Sequence, residues 1–552
     1  MLTSPEIKYQ PYVSFCLNDR KWPDKQIASP PIWCSVDLRD GNQALVEPMD
    51  IDKKMIFFEK LVELGFKEIE VGFPSASEVD FNFVRKIIDE DLVPDDVKIQ
   101  VLTPCRKELI LRTFEALNGA KNAIVHFYNA TAPVMRKVVF NKSKKEVIQM
   151  AVDNASLIKS LTIDYPNTNF QLQYSPEMFS NTESDFSLDV INSVIDELSP
   201  TRENKLIVNL PATIECMSPN VFADQVEWFC RKVKKRGSII VSVHPHNDRG
   251  TSVAAAELAM MAGAERLEGC LFGNGERTGN LDLVNVALNM YTHGVSPGLD
   301  FSRIDEVKEL VTYCNQLPIH ARHPYVGELV YTSFSGTHQD AIRKAFLCKE
   351  GEEQWDIPYL ILDPQDLGRD YEAIIRVNSQ SGKGGVAYIL EHKFGLKLPR
   401  GLQIDFQKYV QETVEKSDKA LTPADIWNLF ESRYFQNIKD LEFHSLTSGY
   451  DHEDKGLMSV NIKFSYKGID YDQNATGNGP IDAVVNALNS SEKLSIEVRS
   501  YLEHSISKGS DSQAVCYIST SNKNGEQVYG VGLDENIIIS SVKAIFSSVN
   551  NY

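Results

Sequence analysis

The sequence predicts an α/β protein: a (β/α)8 barrel, then a small linker region, then a C-terminal α+β domain built from a duplicated βββα unit. Three observations carry this prediction. Eight apolar strand candidates alternate with eight segments of helical periodicity between residues 31 and 291, the number and length of a (β/α)8 barrel. Polar residues suited to chemistry fall at the ends of six different strands. Beyond residue 437 the pattern changes to alternating runs, grouped as three strands and a helix, twice over.

The totals bound the function. A chain of 552 residues is too long for one ordinary core. Its 42% hydrophobic and 24% charged content is that of a globular protein able to bury such cores. The net charge of −19 disfavours nucleic acid and acidic membrane surfaces as partners, while leaving room for an anionic substrate in a local basic pocket. Nine scattered cysteines without a Cys-x-x-Cys fit thiols in a reducing cytosol better than a disulfide framework. The N-terminus lacks a signal-peptide pattern, and no apolar run approaches membrane-spanning length. A cytoplasmic enzyme without nucleic-acid or membrane partners is expected.

Taken in order, residues 1–30 are rich in Pro, Lys, Asp and aromatics and read as an arm laid over a neighbouring surface. The barrel is assigned to 31–325. Its strands are placed at 31–38, 67–73, 98–104, 122–130, 170–177, 205–213, 238–244 and 266–272. Helices are placed at 49–64, 77–90, 106–118, 142–161, 186–198, 218–235, 252–262 and 281–291. Several strands are near-continuously apolar, as buried parallel strands are. A doubly wound open sheet competes, but no Gly-x-Gly-x-x-Gly follows the first strand. Residues 326–436 are assigned to linker subdomains. Their first part is polar and Gly-rich, and 386–435 is helical, with Thr422-Pro-Ala-Asp as a helix start. The C-terminal domain, 437–552, has strand runs at 439–447, 457–466 and 467–475 before a helix at 480–490. Runs at 493–505, 513–521 and 526–531 precede a second helix at 535–548. Gly477 and Gly479 precede one helix, Gly530 and Gly532 the other. Such glycines permit close approach of a ligand or of the partner repeat, or serve simple turns.

In a barrel the strand ends converge on one face, where the site is built. Arg39 and Asp40 follow strand one, and His126 and Tyr128 lie late on strand four. Glu177 ends strand five, Thr213 strand six, and His244 and His246 strand seven; Glu276 and Asn280 follow strand eight. Residues two apart on a strand face the same side, so His244 and His246 can act together, although a pair of ordinary surface histidines has the same spacing. Asp40 with these two imidazoles can hold a divalent cation, Zn2+, Mn2+ or Mg2+, as a Lewis acid for a carbonyl oxygen. Arg39 is placed to balance negative charge on that oxygen; a structural ion pair with Asp40 is the alternative. Glu177 and Thr213 are placed to orient a substrate carboxylate or a water, and Arg277 adds local positive charge. Aldol-type condensation with a 2-oxo acid, its reverse, and hydrolysis all fit this set. A metal-dependent sensor fits less well. His338, in Gly-Thr-His-Gln-Asp, opens a helix and is either catalytic or structural.

Asp37-Leu-Arg-Asp-Gly-Asn-Gln43, His244-Pro-His-Asn-Asp-Arg-Gly250 and Gly273-Asn-Gly-Glu-Arg-Thr-Gly-Asn280 together resemble the 2-isopropylmalate synthase family. The Asn-Gln form of the first motif, SGTHQDAIRK and DPQDLGRDYEAIIRVNSQSGKGG resemble its fungal and actinobacterial branch, and the likeness spans nearly the whole chain. The resemblance implies metal ligation by Asp40, His244 and His246 with Asn280 nearby. It implies a 2-oxoisovalerate pocket of Leu102, His126, Tyr128, Ser175 and Thr213, with Glu177 holding the substrate and Arg39 stabilising the alkoxide. Acetyl-CoA would lie near Asn274, Gly275, Glu276 and Arg277. His338 and Tyr371 would act on acetyl-CoA or the nascent thioester. It also implies leucine inhibition through the C-terminal domain, with Gly477, Gly479, Gly530 and Gly532 as its regulatory positions, and a homodimer. Sister enzymes that make homocitrate, citramalate or other alkylmalates share this apparatus and differ in the oxo-acid pocket. No extra basic residue stands ready for a second substrate carboxylate.

Overall fold

The computed structural model describes residues 8, 15, 17–333, 335–348, 354–369, 383–417, 421–450, 456–491, 494–506, 512–521, 525 and 527–552. They fall in two compact units, Met1–Val330 with Pro364–Arg369, and Tyr331–Asp363 with Asp370–Tyr552.

The first unit is a closed barrel of eight parallel strands. They are β1 (Ile32–Ser35), β2 (Glu68–Gly72), β3 (Lys98–Pro104), β4 (Asn122–Ala130), β5 (Asn169–Glu177), β6 (Leu206–Ala212), β7 (Ile239–Pro245) and β8 (Arg266–Gly269). Pairing of Ile32 through Ser35 with Arg266 through Gly269 closes the ring and excludes the open sheet. The strands alternate with α1 (Ile51–Glu63), α2 (Glu78–Asp89), α3 (Lys107–Leu117), α4 (Lys144–Asp164), α5 (Ser184–Leu198), α6 (Pro219–Lys232), α7 (Ser252–Ala262) and α8 (Leu283–Thr292). Helix starts follow local chemistry: the Asp50 and Ser77 side chains accept from the backbone N–H three residues on, and Ser143 with Glu146 forms a capping box. The Ala-rich α7 buries Ala255, Ala256, Ala259 and Ala262, small enough for the helix to sit close against α6.

Two differences from the sequence reading concern this unit. The first and last strands are shorter than their apolar runs. Residues Asp37–Gly41 wind into one wide helical turn, whose Asp40 and Gly41 amides donate to Val36 O, and Leu271–Gly273 form a second tight turn. A ninth helix, α9 (Ile304–Asn315), follows the barrel; its Ile304, Val307, Val311 and Cys314 recur at helical spacing and are buried. The described part of the arm lies on α6: the Trp22 indole donates to Asp224 at 2.8 Å, and the Lys21 and Trp22 amides donate to Glu227.

The second unit contains helices α10 (Gly336–Cys348), α11 (Lys383–Phe394), α12 (Arg400–Ser417) and α13 (Pro423–Tyr434), the last opened by a Thr422–Asp425 capping box. Two antiparallel three-stranded sheets follow. Strands β9 (Leu441–Tyr450), β10 (Met458–Tyr466) and β11 (Ile469–Gly477) precede α14 (Pro480–Asn489). Strands β12 (Glu497–Ser505), β13 (Ala514–Ser521) and β14 (Gln527–Asp534) precede α15 (Ile537–Asn550). The two βββα units share one apolar core, including Ile462, Phe464, Leu488, Ile518 and Ile545. Asn550 at the end of α15 clasps the start of β9: its Oδ1 accepts from Leu441 N at 2.9 Å and its Nδ2 donates to Leu441 O at 2.7 Å.

The second glycine pair is not a turn. Gly530 and Gly532 lie within β14, where a Cβ would run into Ala544 O and Ser540 O of α15. A Cβ at Gly477 would likewise meet Ala483 N, whereas Gly479 has nothing within 4 Å. Three of the four therefore serve close helix-on-sheet packing within the unit. The described cysteines are all unpaired thiols, and no described helix is long and apolar enough to cross a membrane.

Gly532→Ala should lower the unfolding free energy of the second unit by about 1–3 kcal/mol, the usual cost of overpacking. Gly479→Ala, at an open cap position, should cost less than about 1 kcal/mol. Urea unfolding of the full-length variants checks both.

Candidate active site

The barrel interior carries polar side chains on alternate positions of otherwise apolar strands, and they bond to one another in layers. The fully buried Arg266 is the lower centre. Its guanidinium donates to Glu68 at 2.6 Å, Glu268 at 2.6 Å, Gln100 at 2.8 Å and Ser242 at 2.9 Å. Glu268 also accepts from Gln173 at 2.6 Å and Asn209 at 3.2 Å, and lies 2.9 Å from His244 Nδ1. One strand pair away, Glu70 accepts from Arg39 at 2.9 Å and Gln100 at 2.8 Å. His126 and Asn209 both reach the Ser175 hydroxyl, at 2.7 and 3.0 Å.

The upper layer sits at the C-terminal strand ends. Arg39, on the turn after β1, donates to Asp40 at 2.6 Å. His244 Nε2 lies 3.1 Å from Asp40 Oδ2 and 3.0 Å from Asn280 Oδ1, and His246 Nε2 lies 3.8 Å from the same Asp40 oxygen. Burial opposes ionisation of Asp40, but Arg39 and His244 hold its carboxyl well below the usual carboxylate range. Burial also opposes charge on His244, yet hydrogen bonds to Asp40 and Glu268 push its pKa up to about 10. His246 goes the other way, down to about 4, through burial and then the neighbouring His244 charge.

The donor set fits a divalent cation. Ligand atoms of Asp40, His244 and His246 all lie within 4.8 Å of one another. His246 Nδ1 is buried with no hydrogen-bond partner. Asp40, Glu68, Glu70 and Glu268 are buried carboxylates facing only two guanidiniums, buried Arg266 and nearly buried Arg39, with Lys98 reaching Glu68 from the rim at 3.4 Å. The surplus is negative, and a dication is the economical counter-charge in such a site.

Above this cluster opens a cavity of about 210 Å3. Its wall brings together the predicted Arg39, Asp40, Leu102, His126, Tyr128, Ser175, Glu177, Thr213, His244, His246, Glu276 and Arg277. Burial raises the Glu177 carboxyl, partly offset by Arg39, and raises the Tyr128 phenol, with Glu177 adding to it.

Three family models match the chain: HMGL-like over residues 30–311, alpha-isopropylmalate synthase post-catalytic domain-like over 328–391, and LeuA allosteric (dimerisation) domain over 420–552. The 2-isopropylmalate synthase of Parvibaculum lavamentivorans is 53% identical over all of this chain and 97% of its own. Those of Azotobacter vinelandii and Pseudomonas entomophila are 52% and 51% identical, over all of this chain and 98% of theirs. The chain belongs to the 2-isopropylmalate synthase family. That is an enzyme family of leucine biosynthesis.

Other sequence-predicted residues of this synthase-family chain are placed as follows. Asn280 touches His244 and donates to Asn274 O. Asn274 donates to Gly41 O, and a Cβ on Gly275 would press on the Asn280 amide, so these two shape the loop beside His244. Glu276 accepts from Gln43, and Arg277 donates to Asp248 and to Thr213 O, joining loops after three strands. His338 belongs to the second unit, where its ring stacks on Tyr359 at 4.0 Å. Tyr371 lies outside the described residues.

Sequence reasoning missed Glu70, Phe73, Gln100, Gln173, Asn209, Pro211 and Glu268. Phe73, Asn209 and Pro211 line the cavity, and the others bond beneath it. A signal existed: Glu68 and Glu70, and Arg266 and Glu268, stand two apart in runs that are otherwise apolar.

Arg266→Met should leave Glu68 and Glu268 short of their buried partner and destabilise the protein by roughly 3–5 kcal/mol. Urea unfolding monitored by circular dichroism measures this loss.

Proposed function

We propose that the chain condenses acetyl-CoA with 2-oxoisovalerate and water, giving 2-isopropylmalate and CoA. The observation that supports this most is the Asp40–His244–His246 cluster, with Asn280 beside it, under the cavity, in a chain that aligns end to end with a 2-isopropylmalate synthase at 53% identity. A divalent cation held by these four residues, Mg2+, Mn2+ or Zn2+, would supply Lewis acidity toward a keto oxygen.

The chain's own residues do the rest. Arg39 offers its guanidinium to the negative charge that grows on the keto oxygen. Glu177 and Thr213 orient the oxo acid at the mouth, and His126, Tyr128 and Ser175 line its bed. Leu102, Phe73 and Pro211 present apolar surface to the isopropyl group. Arg39 is committed to Asp40 and Glu70, and Arg277 to Asp248 and Thr213 O. Arg39 serves the keto oxygen and Arg277 its loop partners, and among the described residues no other Lys or Arg lines the cavity for a second substrate carboxylate, which favours 2-oxoisovalerate over 2-oxoglutarate.

His338, with Tyr371, acts on acetyl-CoA or the nascent thioester, and the acetyl methyl group gives up a proton. The methyl carbon bonds to the keto carbon as its C–H bond breaks, and the keto oxygen takes up one proton, the equivalent of the one lost by the methyl group, to end as a hydroxyl. Water then adds to the thioester carbonyl, and CoA leaves with a proton on sulfur. Acetyl-CoA lies along the Asn274–Arg277 loop. The match of 420–552 to the LeuA allosteric (dimerisation) domain supports leucine inhibition and a homodimer.

CoA release should be greatest with 2-oxoisovalerate among a panel of 2-oxo acids, fall on addition of leucine, and vanish after chelation. Preference for another oxo acid would move the chain to a sister synthase, and no release with any would overturn the proposal. Asp40→Ala and His246→Ala should each lower kcat at least about 1,000-fold, the scale of losing a catalytic electrostatic group. His338→Ala should lower kcat by about 100-fold or more with little change in the KM for the oxo acid, as loss of an acid–base group does. An unchanged rate would return His338 to a structural role beside Tyr359.

A further inference from the structure

We infer that Glu268 is a positioning residue of the candidate cation site: its carboxylate holds His244 by Nδ1 so that Nε2 faces Asp40, Asn280 and His246. The inference rests on the divalent-cation reading proposed above.

The carboxylate is fully buried and has five neighbours. Oε1 accepts from Arg266 at 2.6 Å, Gln173 at 2.6 Å and Gln100 at 3.3 Å. Oε2 accepts from Asn209 at 3.2 Å and lies 2.9 Å from His244 Nδ1. The first four are donors, so Glu268 is needed as an ionised, acceptor-only group. His244 therefore donates from Nδ1. In the neutral ring this leaves the lone pair on Nε2, the nitrogen 3.1 Å from Asp40 and 3.0 Å from Asn280.

Glu268 is itself fixed. Arg266 cannot swing, because Glu68, Gln100 and Ser242 hold the other edges of its guanidinium. The support thus comes from β2, β3, β7 and β8 together. His246 has no counterpart, since its Nδ1 is buried without a partner. Of the two imidazoles, His244 is the one pre-set before a cation arrives.

An amide cannot replace this carboxylate. Its NH2 would face either Arg266, Gln173 and Gln100, all donors, or His244 Nδ1. The second arrangement turns Nδ1 into an acceptor and puts the ring proton on Nε2, where it blocks a ligand bond.

Mn2+ binding to metal-stripped full-length protein, read as free Mn2+ by electron paramagnetic resonance, tests the inference. Glu268→Gln should weaken Mn2+ binding by about 10–100-fold, the usual effect of losing such a support, in a protein with wild-type circular dichroism. Its turnover should climb back as Mn2+ is raised, which a merely misfolded site would not do. A folded Glu268→Gln within about twofold of wild type, well below the loss usual for such a support, would overturn the inference and leave the cation site standing. Wild-type protein that takes up no Mn2+ would overturn the cation site and the inference with it. Should Glu268→Gln fail to fold, Glu268→Asp decides. It keeps the charge but draws it back from His244, so binding should weaken by about tenfold, and wild-type affinity would overturn the inference.

Discussion

The buried ion pair between Arg266 and Glu268 is the constraint on which the barrel's chemistry depends. A charged pair inside a barrel is costly to desolvate and is tolerated only when its remaining hydrogen-bonding capacity is filled. Here Glu68, Gln100, Gln173, Ser242 and Asn209 fill it, and each comes from a strand. The same residues form the floor under the upper layer. The cost of the network is borne by packing among the surrounding apolar faces, and what it provides is orientation: His244 from below, Arg39 through Glu70, and Ser175 through Asn209.

Charge sign explains why the upper layer is poised for a cation. The lower layer is already anionic in excess, and Asp40 adds to it. Hydrogen bonds to Asp40 and Glu268 push the pKa of His244 up to about 10 against the effect of burial. A dication in the same place would relieve Asp40 and leave the imidazole neutral, the form in which it can act as a ligand. The two histidines diverge for a reason visible in their neighbours: His244 has carboxylates on both nitrogens, while His246 faces His244 and has one open nitrogen.

The second unit solves a different problem. Two βββα units share one core, so each sheet must come close to its helix. Glycines at 530 and 532 remove the side chains that would keep α15 away, and Asn550 ties the last helix to the first strand of the other repeat. This close packing makes the duplicated units a single body.

Strand and helix order, the eightfold strand–helix repeat, the duplicated C-terminal unit and the residues at the strand ends were all determined by the sequence itself. Apolar periodicity and turn chemistry are local properties, and a His-x-His on a strand puts both rings on one side wherever the strand goes. Tertiary structure decided what pairing alone creates. Glu268 and Glu70 read as polar interruptions of apolar runs until barrel closure sets β8 beside β1 and β7, and β2 beside β3, so that these carboxylates meet Arg266, Gln100, Arg39 and His244. The turn at Asp37–Gly41 was hidden for the same reason: Asp37 is anchored by Leu271 N from beyond β8, a partner 234 residues away. For Gly530 and Gly532 the sequence left close approach and a simple turn both open, because their reason for being glycine is the approach of α15, which no local pattern encodes.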